Sequence, residues 1–100
     1  MTADNDTAPP AVLSYEDWYR AEARQVAALV YTLSGSRTAA EELTQDAFLE
    51  AHKQWGEVST MTSPGGWVRA VAMNKARSRV RRRAAEARAG KRKAERQSHL

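Results

Sequence analysis

Asn74, Arg77 and Arg81 are spaced three and four residues apart in a stretch whose residues follow helical periodicity. At a helical step of about 100° per residue they share, with Ala70, an arc of roughly 60°. An asparagine carboxamide donates and accepts at once, as reading a base edge requires. A guanidinium can neutralise a phosphate. Arg69, Lys75, Arg79, Arg82 and Arg83 flank the stripe. If about six of these cations met phosphates, the logarithm of affinity would fall with that of salt at a slope of roughly −5.

Charge divides along the chain at one point. Up to Val68 there are 10 acidic and 4 basic residues; from Arg69 to Leu100 there are 12 basic and 2 acidic, giving the net +4. A dense, one-sided basic half is the footprint of a polyanion partner. The plainer reading of such a stretch is a solvated basic face or attraction to acidic lipid. The Arg-dense part offers little apolar surface to insert, which disfavours a membrane. Nucleic acid is the preferred reading.

Two further sets of residues have the makings of a surface. Ser59, Thr60, Met61, Thr62 and Ser63 precede Pro64 and form a polar loop ending at a helix start. Free backbone N–H groups there, with Trp67 beside them, could hold an unstacked base. For Trp67 alone, packing in the core is the better expectation. The other set is a polar helix face with Leu49 in its middle, among Glu42, Gln45, Asp46 and Lys53. An apolar centre with a polar rim suits a protein partner. A stray exposed Leu is also common, and without more information is slightly favoured.

Other chemistry lacks support. There is no Cys, and His52 and His99 stand apart, so neither a disulfide framework nor a metal site is expected. No phosphate loop, nucleophile motif or paired-acid arrangement stands out, so no enzyme activity and no cofactor are expected. The start, Met-Thr-Ala-Asp-Asn-Asp, is not a secretory signal. The longest apolar run, Val26 to Tyr31, is too short to span a bilayer. A soluble, cytoplasmic protein is expected.

The elements that must position these residues are helices. Residues 1–13 are polar, end near Pro9-Pro10 and read as a disordered arm. Ser14 caps a helix over about Tyr15–Ser34, whose apolar stripe is Tyr15, Trp18, Tyr19, Val26, Leu29, Val30 and Leu33; Gly35 closes it. Glu22 lies in that stripe, placed either to pair with a base of the third helix or to sit at the bundle edge. Ser36 or Thr38 starts a second helix to about Trp55, on which Ala40, Leu43, Ala47, Phe48, Ala51 and Trp55 share the apolar face. Residues 56–63 form a loop. Ser63-Pro64 opens a third helix to at least Arg83, with Trp67, Val68, Val71 and Ala72 on its apolar face. Ala84–Leu100 has nothing to bury and reads as a frayed helix or linker. The expected fold is all-α: a three-helix bundle over residues 14–83 with a basic C-terminal helical extension.

These residues occur in a recognisable order. Trp18-Tyr19-Arg20 is followed by Leu33-Ser34-Gly35-Ser36-Arg37, then by Ala40 through Phe48 with its Glu-Glu-Leu-Thr-Gln-Asp core. Trp55, Pro64 with Trp67, and Val71 through Arg77 complete the series. The pattern resembles region 2 of bacterial sigma factors, of the extracytoplasmic-function type. That resemblance implies binding to the β′ clamp helices of RNA polymerase core through the second helix, carried here by Glu42, Leu43, Gln45 and Asp46. Leu49 joins them from its place on the helix, and Leu43 falls on the side expected to be buried. It also implies recognition of partly single-stranded promoter DNA at the minus-ten element. A flipped base would enter the loop at Ser59–Ser63, and Trp67, Arg69, Asn74, Lys75, Arg77, Arg81 and Arg82 would contact DNA. Flipping costs a few kcal/mol, recovered in the pocket. The family often has Arg where this chain has Ala70. A complete factor adds a helix-turn-helix domain for which this chain has no room, so it reads as a fragment or a stand-alone relative.

Two other classes of function fit the residues. One is a small nucleic-acid-binding protein indifferent to sequence. The other is a domain acting only through proteins, competing for polymerase or titrating an anti-sigma factor.

Overall fold

The computed structural model describes residues 13–98. Capping chemistry sets the first boundaries. Ser14 Oγ accepts the Asp17 N–H at 3.3 Å and opens α1 (Tyr15–Ser34). Gly35, at φ 71°, closes it by donating its N–H to the Tyr31 carbonyl at 2.8 Å. That left-handed geometry favours Gly, which has no Cβ to clash. Ser36, of the two capping candidates, starts α2 (Arg37–Lys53) by accepting the Ala39 N–H at 3.1 Å.

The second helix ends earlier than Trp55. Gln54 breaks it, and the chain turns at once into one further turn, α3 (Trp55–Val58). The stretch expected to be a loop from Gly56 is therefore helical in its first part. The physical reason is Val58, which is fully buried. A polar loop would leave that side chain in water, and the extra turn delivers it to the core.

Ser63 caps α4 (Pro64–Ser98), accepting the Gly66 N–H at 3.0 Å. At 35 residues and about 1.5 Å each, this helix is about 52 Å long. It continues past Arg83 to Ser98, so the stretch read as a frayed helix or a linker is helix, the basic extension expected of the fold. Ala, Arg, Lys and Glu propagate helix well without burial, and Gly90 alone does not stop them. The molecule is elongated, 84 × 21 × 16 Å, and α4 runs on beyond the bundle. Every residue from Arg81 to Gln97 is exposed. The described residues contain no strand, so the fold is all-α.

α1, α2 and the first half of α4 pack against one another. Their core is Trp18, Val26, Val30, Leu43, Ala47, Phe48, Ala51, Val58, Val68, Ala72 and Ala76. Trp18 sits between Phe48 at 5.1 Å and Trp55 at 4.9 Å, ring centre to ring centre. The α1 stripe is buried only in part: Leu29 and Leu33 stay exposed. On α4 the buried line is Gly65, Val68, Ala72 and Ala76, with Trp67 and Val71 at its margin. Of the 1–13 arm, residues 1–12 lie outside the described part, as do residues 99 and 100.

Candidate nucleic-acid and partner interfaces

The basic half of the chain is sorted by which side of α4 each cation occupies. Gly65, Val68, Ala72 and Ala76 define the side that meets the bundle. The wheel positions of Asn74, Arg77 and Arg81 centre about 170° away from it. Cations near the bundle side find acids. Arg69 Nη1 lies 3.2 Å from Glu22 Oε1 on α1. Lys75 Nζ is 2.6 Å from Glu50 Oε2 on α2, and Arg79 Nη1 is 3.3 Å from Glu42 Oε1 on α2.

On the outer side Asn74, Arg77 and Arg81 are exposed. Arg77 Nη1 donates to Asn74 Oδ1 at 3.1 Å. That contact orients the carboxamide so that its NH₂ remains available outward. The seven candidate DNA contacts are thus not equivalent. Asn74, Arg77, Arg81 and Arg82 are open. Arg69 and Lys75 are engaged inside the protein and half-buried. Trp67 is half-buried and packs on the core, yet it lies seven residues before Asn74 and so on nearly the same side of the helix.

The loop Ser59–Ser63 runs between α3 and α4. Its hydroxyls are partly committed: Thr60 donates to the Glu57 carbonyl at 2.7 Å, and Ser63 caps α4. Met61 is 37% exposed, and Thr60, Thr62 and Ser63 are exposed. These groups can meet a ligand from outside.

On α2, Glu42, Gln45, Asp46 and Leu49 are exposed, and Leu49 shows 52% of its surface. Leu43 does not join them. It is 4% exposed and belongs to the core, as its wheel position indicated. The structure adds two neighbours from another helix. Tyr15 and Tyr19 of α1 line a shallow depression with Gln45, Phe48 and Leu49. The Tyr15 hydroxyl donates to the Phe48 carbonyl at 3.0 Å, and its ring meets His52 edge-on at 4.9 Å. Burial, and secondarily the neighbouring Tyr19, hold the Tyr15 phenol above its ordinary pKa. Nothing in the sequence links Tyr15 to Leu49; only the packing of α1 on α2 does.

The two candidate surfaces touch. Asp46 and Leu43 of α2 line one groove with Asn74, Lys75, Ser78, Arg79 and Arg82 of α4. Among the described residues no group of three or more His, Cys, Asp or Glu could hold a metal ion. No helix among them is long and apolar enough to cross a membrane.

Comparison with protein families decides the family. Residues 18–86 match Sigma-70 region 2. The chain belongs to the sigma-70 region 2 family. Comparison with curated proteins and with solved structures gives no match. Sigma-70 region 2 is the part of a sigma factor involved in polymerase core binding and promoter minus-ten recognition, and it is a non-enzymatic domain of transcription initiation. The matched segment begins at Trp18 and ends three residues after Arg83. It therefore contains α2, the loop, and the half of α4 that packs in the bundle.

Proposed function

We propose that this sigma-70 region 2 domain is of the extracytoplasmic-function type and bridges two partners in the cytoplasm. One is the β′ clamp helices of RNA polymerase core; the other is the melted minus-ten element. Glu42, Gln45, Asp46 and Leu49 form the polymerase face, with Tyr15 and Tyr19 beside them. Asn74, Arg77, Arg81 and Arg82 meet the DNA, with Trp67 next to the loop Ser59–Ser63 that takes a flipped base. Arg69 and Lys75 hold α4 against α1 and α2. An anti-sigma factor that blocked either face would silence the domain.

The observation that carries this reading is the sorting of cations on α4. Those toward the bundle are neutralised by Glu22, Glu42 and Glu50, while Asn74, Arg77 and Arg81 keep an open face. A merely structural basic helix has no need of that division. The test is binding of the chain to a β′ clamp-helix fragment, and to a single strand of minus-ten-like sequence against its scramble. Asp46→Arg should abolish the first and Asn74→Ala should erase the sequence preference. No clamp-helix binding by the unmodified chain would remove the polymerase bridge. Equal affinity for both strands would leave only general nucleic-acid binding.

A further inference from the structure

The open basic face does not end with the bundle. Because α4 is continuous to Ser98, residues far past the packed half keep their angular relation to it. Arg81, Arg88, Arg92 and Arg96 are spaced seven, four and four residues apart and fall within an arc of about 80°. Asn74 lies inside that arc and Arg77 at its edge. All four arginines are exposed, and none takes part in the ion pairs that hold the bundle. Arg82 and Lys93 flank them, and Glu95 sits at the opposite margin. Lys91 stands as far round on the Glu95 side as Lys93 does on the other, and the far side carries Arg83 among Ala87 and Ala94. Arg88, Arg92 and Arg96 lie beyond the segment matched to the family.

We infer that this extension is a duplex-DNA rail: its arginine line lies against the phosphates of the duplex adjoining the strand that Asn74 engages, without reading sequence. From Arg81 to Arg96 the line is about 22 Å long at 1.5 Å per residue. That equals the rise of about six to seven base pairs along the duplex axis at 3.4 Å per step. Chemistry favours the duplex over other polyanions. Residues 81–97 contain no aromatic side chain on which unpaired bases could stack. They contain no apolar side chain larger than Ala to enter a lipid surface. Guanidinium groups on a rigid helix suit regularly spaced phosphates, each contact releasing counterions. The inference rests on the reading that α4 meets DNA, but it concerns a different stretch of the helix and a different form of DNA.

The experiment compares two double variants of the full chain that remove the same charge from the same exposed helix. Arg88→Gln with Arg92→Gln strips the line; Arg83→Gln with Lys91→Gln removes two cations that lie off it. Binding to a duplex of arbitrary sequence is measured by anisotropy across a salt series, with circular dichroism to verify the helix. The first pair should weaken binding and reduce the steepness of the log–log salt slope by about 1.8, at 0.9 per lost contact. The second pair should change the slope by less than half as much. Equal effects would show that only net charge matters and overturn the rail, as would absence of duplex binding by the unmodified chain. Tighter binding of a single strand through Arg88 and Arg92 would overturn the duplex assignment. Gly90→Pro, which interrupts the line without changing charge, should also weaken duplex binding; unchanged affinity would overturn the geometry. The minus-ten preference tested by Asn74→Ala is a separate readout, so either reading can fail while the other stands.

Discussion

Glu22 and Arg69 are 47 residues apart in the chain and 3.2 Å apart in space, and Gly65 makes room for the pair. A Cβ on Gly65 would stand 2.7 Å from Glu22 Oε2. The first turns of α4 thus present a bare backbone at Gly65 and a guanidinium one turn later, with the α1 carboxylate between them. This latch fixes where α4 leaves the loop, and so fixes the outward direction of Asn74 and Arg81.

The latch predicts that two arginines of one helix behave oppositely. Arg69→Ala should lower unfolding free energy by about 1 kcal/mol, the upper range for a partly exposed pair, and leave DNA affinity nearly unchanged. Arg81→Ala should leave stability within about 0.5 kcal/mol and weaken DNA binding, with a salt slope reduced by about 0.9. Denaturant titration and anisotropy on both variants check this. Gly65→Ala should add little to Arg69→Ala, because both act through Glu22.

Leucines 43 and 49 make a similar contrast on α2. Leu43→Ala should destabilise the fold by about 2–5 kcal/mol, the usual cost of a core cavity. Leu49→Ala should cost under about 0.5 kcal/mol, as a surface change, while weakening clamp-helix binding by about 1–2 kcal/mol as the loss of an interface anchor. Thermal unfolding and a pull-down against a β′ fragment separate the two effects.

Tyr15 gives the protein a pH dependence in the alkaline range. Its native pKa is raised, chiefly by burial, above the unfolded value of about 10. The native state therefore holds the proton more tightly than the unfolded state. The resulting stability is fully present below pH 10 and is lost as pH rises through the native pKa. Tyr15→Phe should remove that decline and cost about 1 kcal/mol at neutral pH through the lost bond to the Phe48 carbonyl. Denaturation midpoints from pH 7 to 11 measure both.

Thr44 is 5% exposed and its Oγ1 has no hydrogen-bond partner. Thr44→Val keeps the shape and removes the uncompensated hydroxyl. It should raise stability by about 1 kcal/mol, at the low end of the cost of a buried unsatisfied group. A lower denaturation midpoint would mean the hydroxyl is satisfied in solution.

Gly90 lies within α4 with open space around its missing side chain. Gly90→Ala should stiffen the extension, stabilising the helix locally by about 1 kcal/mol. Amide hydrogen exchange at residues 86–96 should slow while exchange in α1 and α2 stays the same.

Local chemistry made much of this protein legible in its sequence. Ser14 and Gly35 fixed the ends of α1, Ser63-Pro64 fixed the start of α4, and period-3.6 patterning placed Val68, Ala72, Leu43 and Phe48 inside. Each of these depends on neighbours within a turn or two. The short turn Trp55–Val58 was hidden because its cause is the burial of Val58 by distant residues. A basic helical extension was legible, but where it ends was not, because its composition permits either helix or coil. Sequence alone determined that the second half of the chain is basic and that a line of side chains shares one side of a helix. Only the tertiary structure decided which cations are free. Coulomb attraction needs a few ångströms of approach, and only folding brings Glu22, Glu42 and Glu50 to Arg69, Arg79 and Lys75.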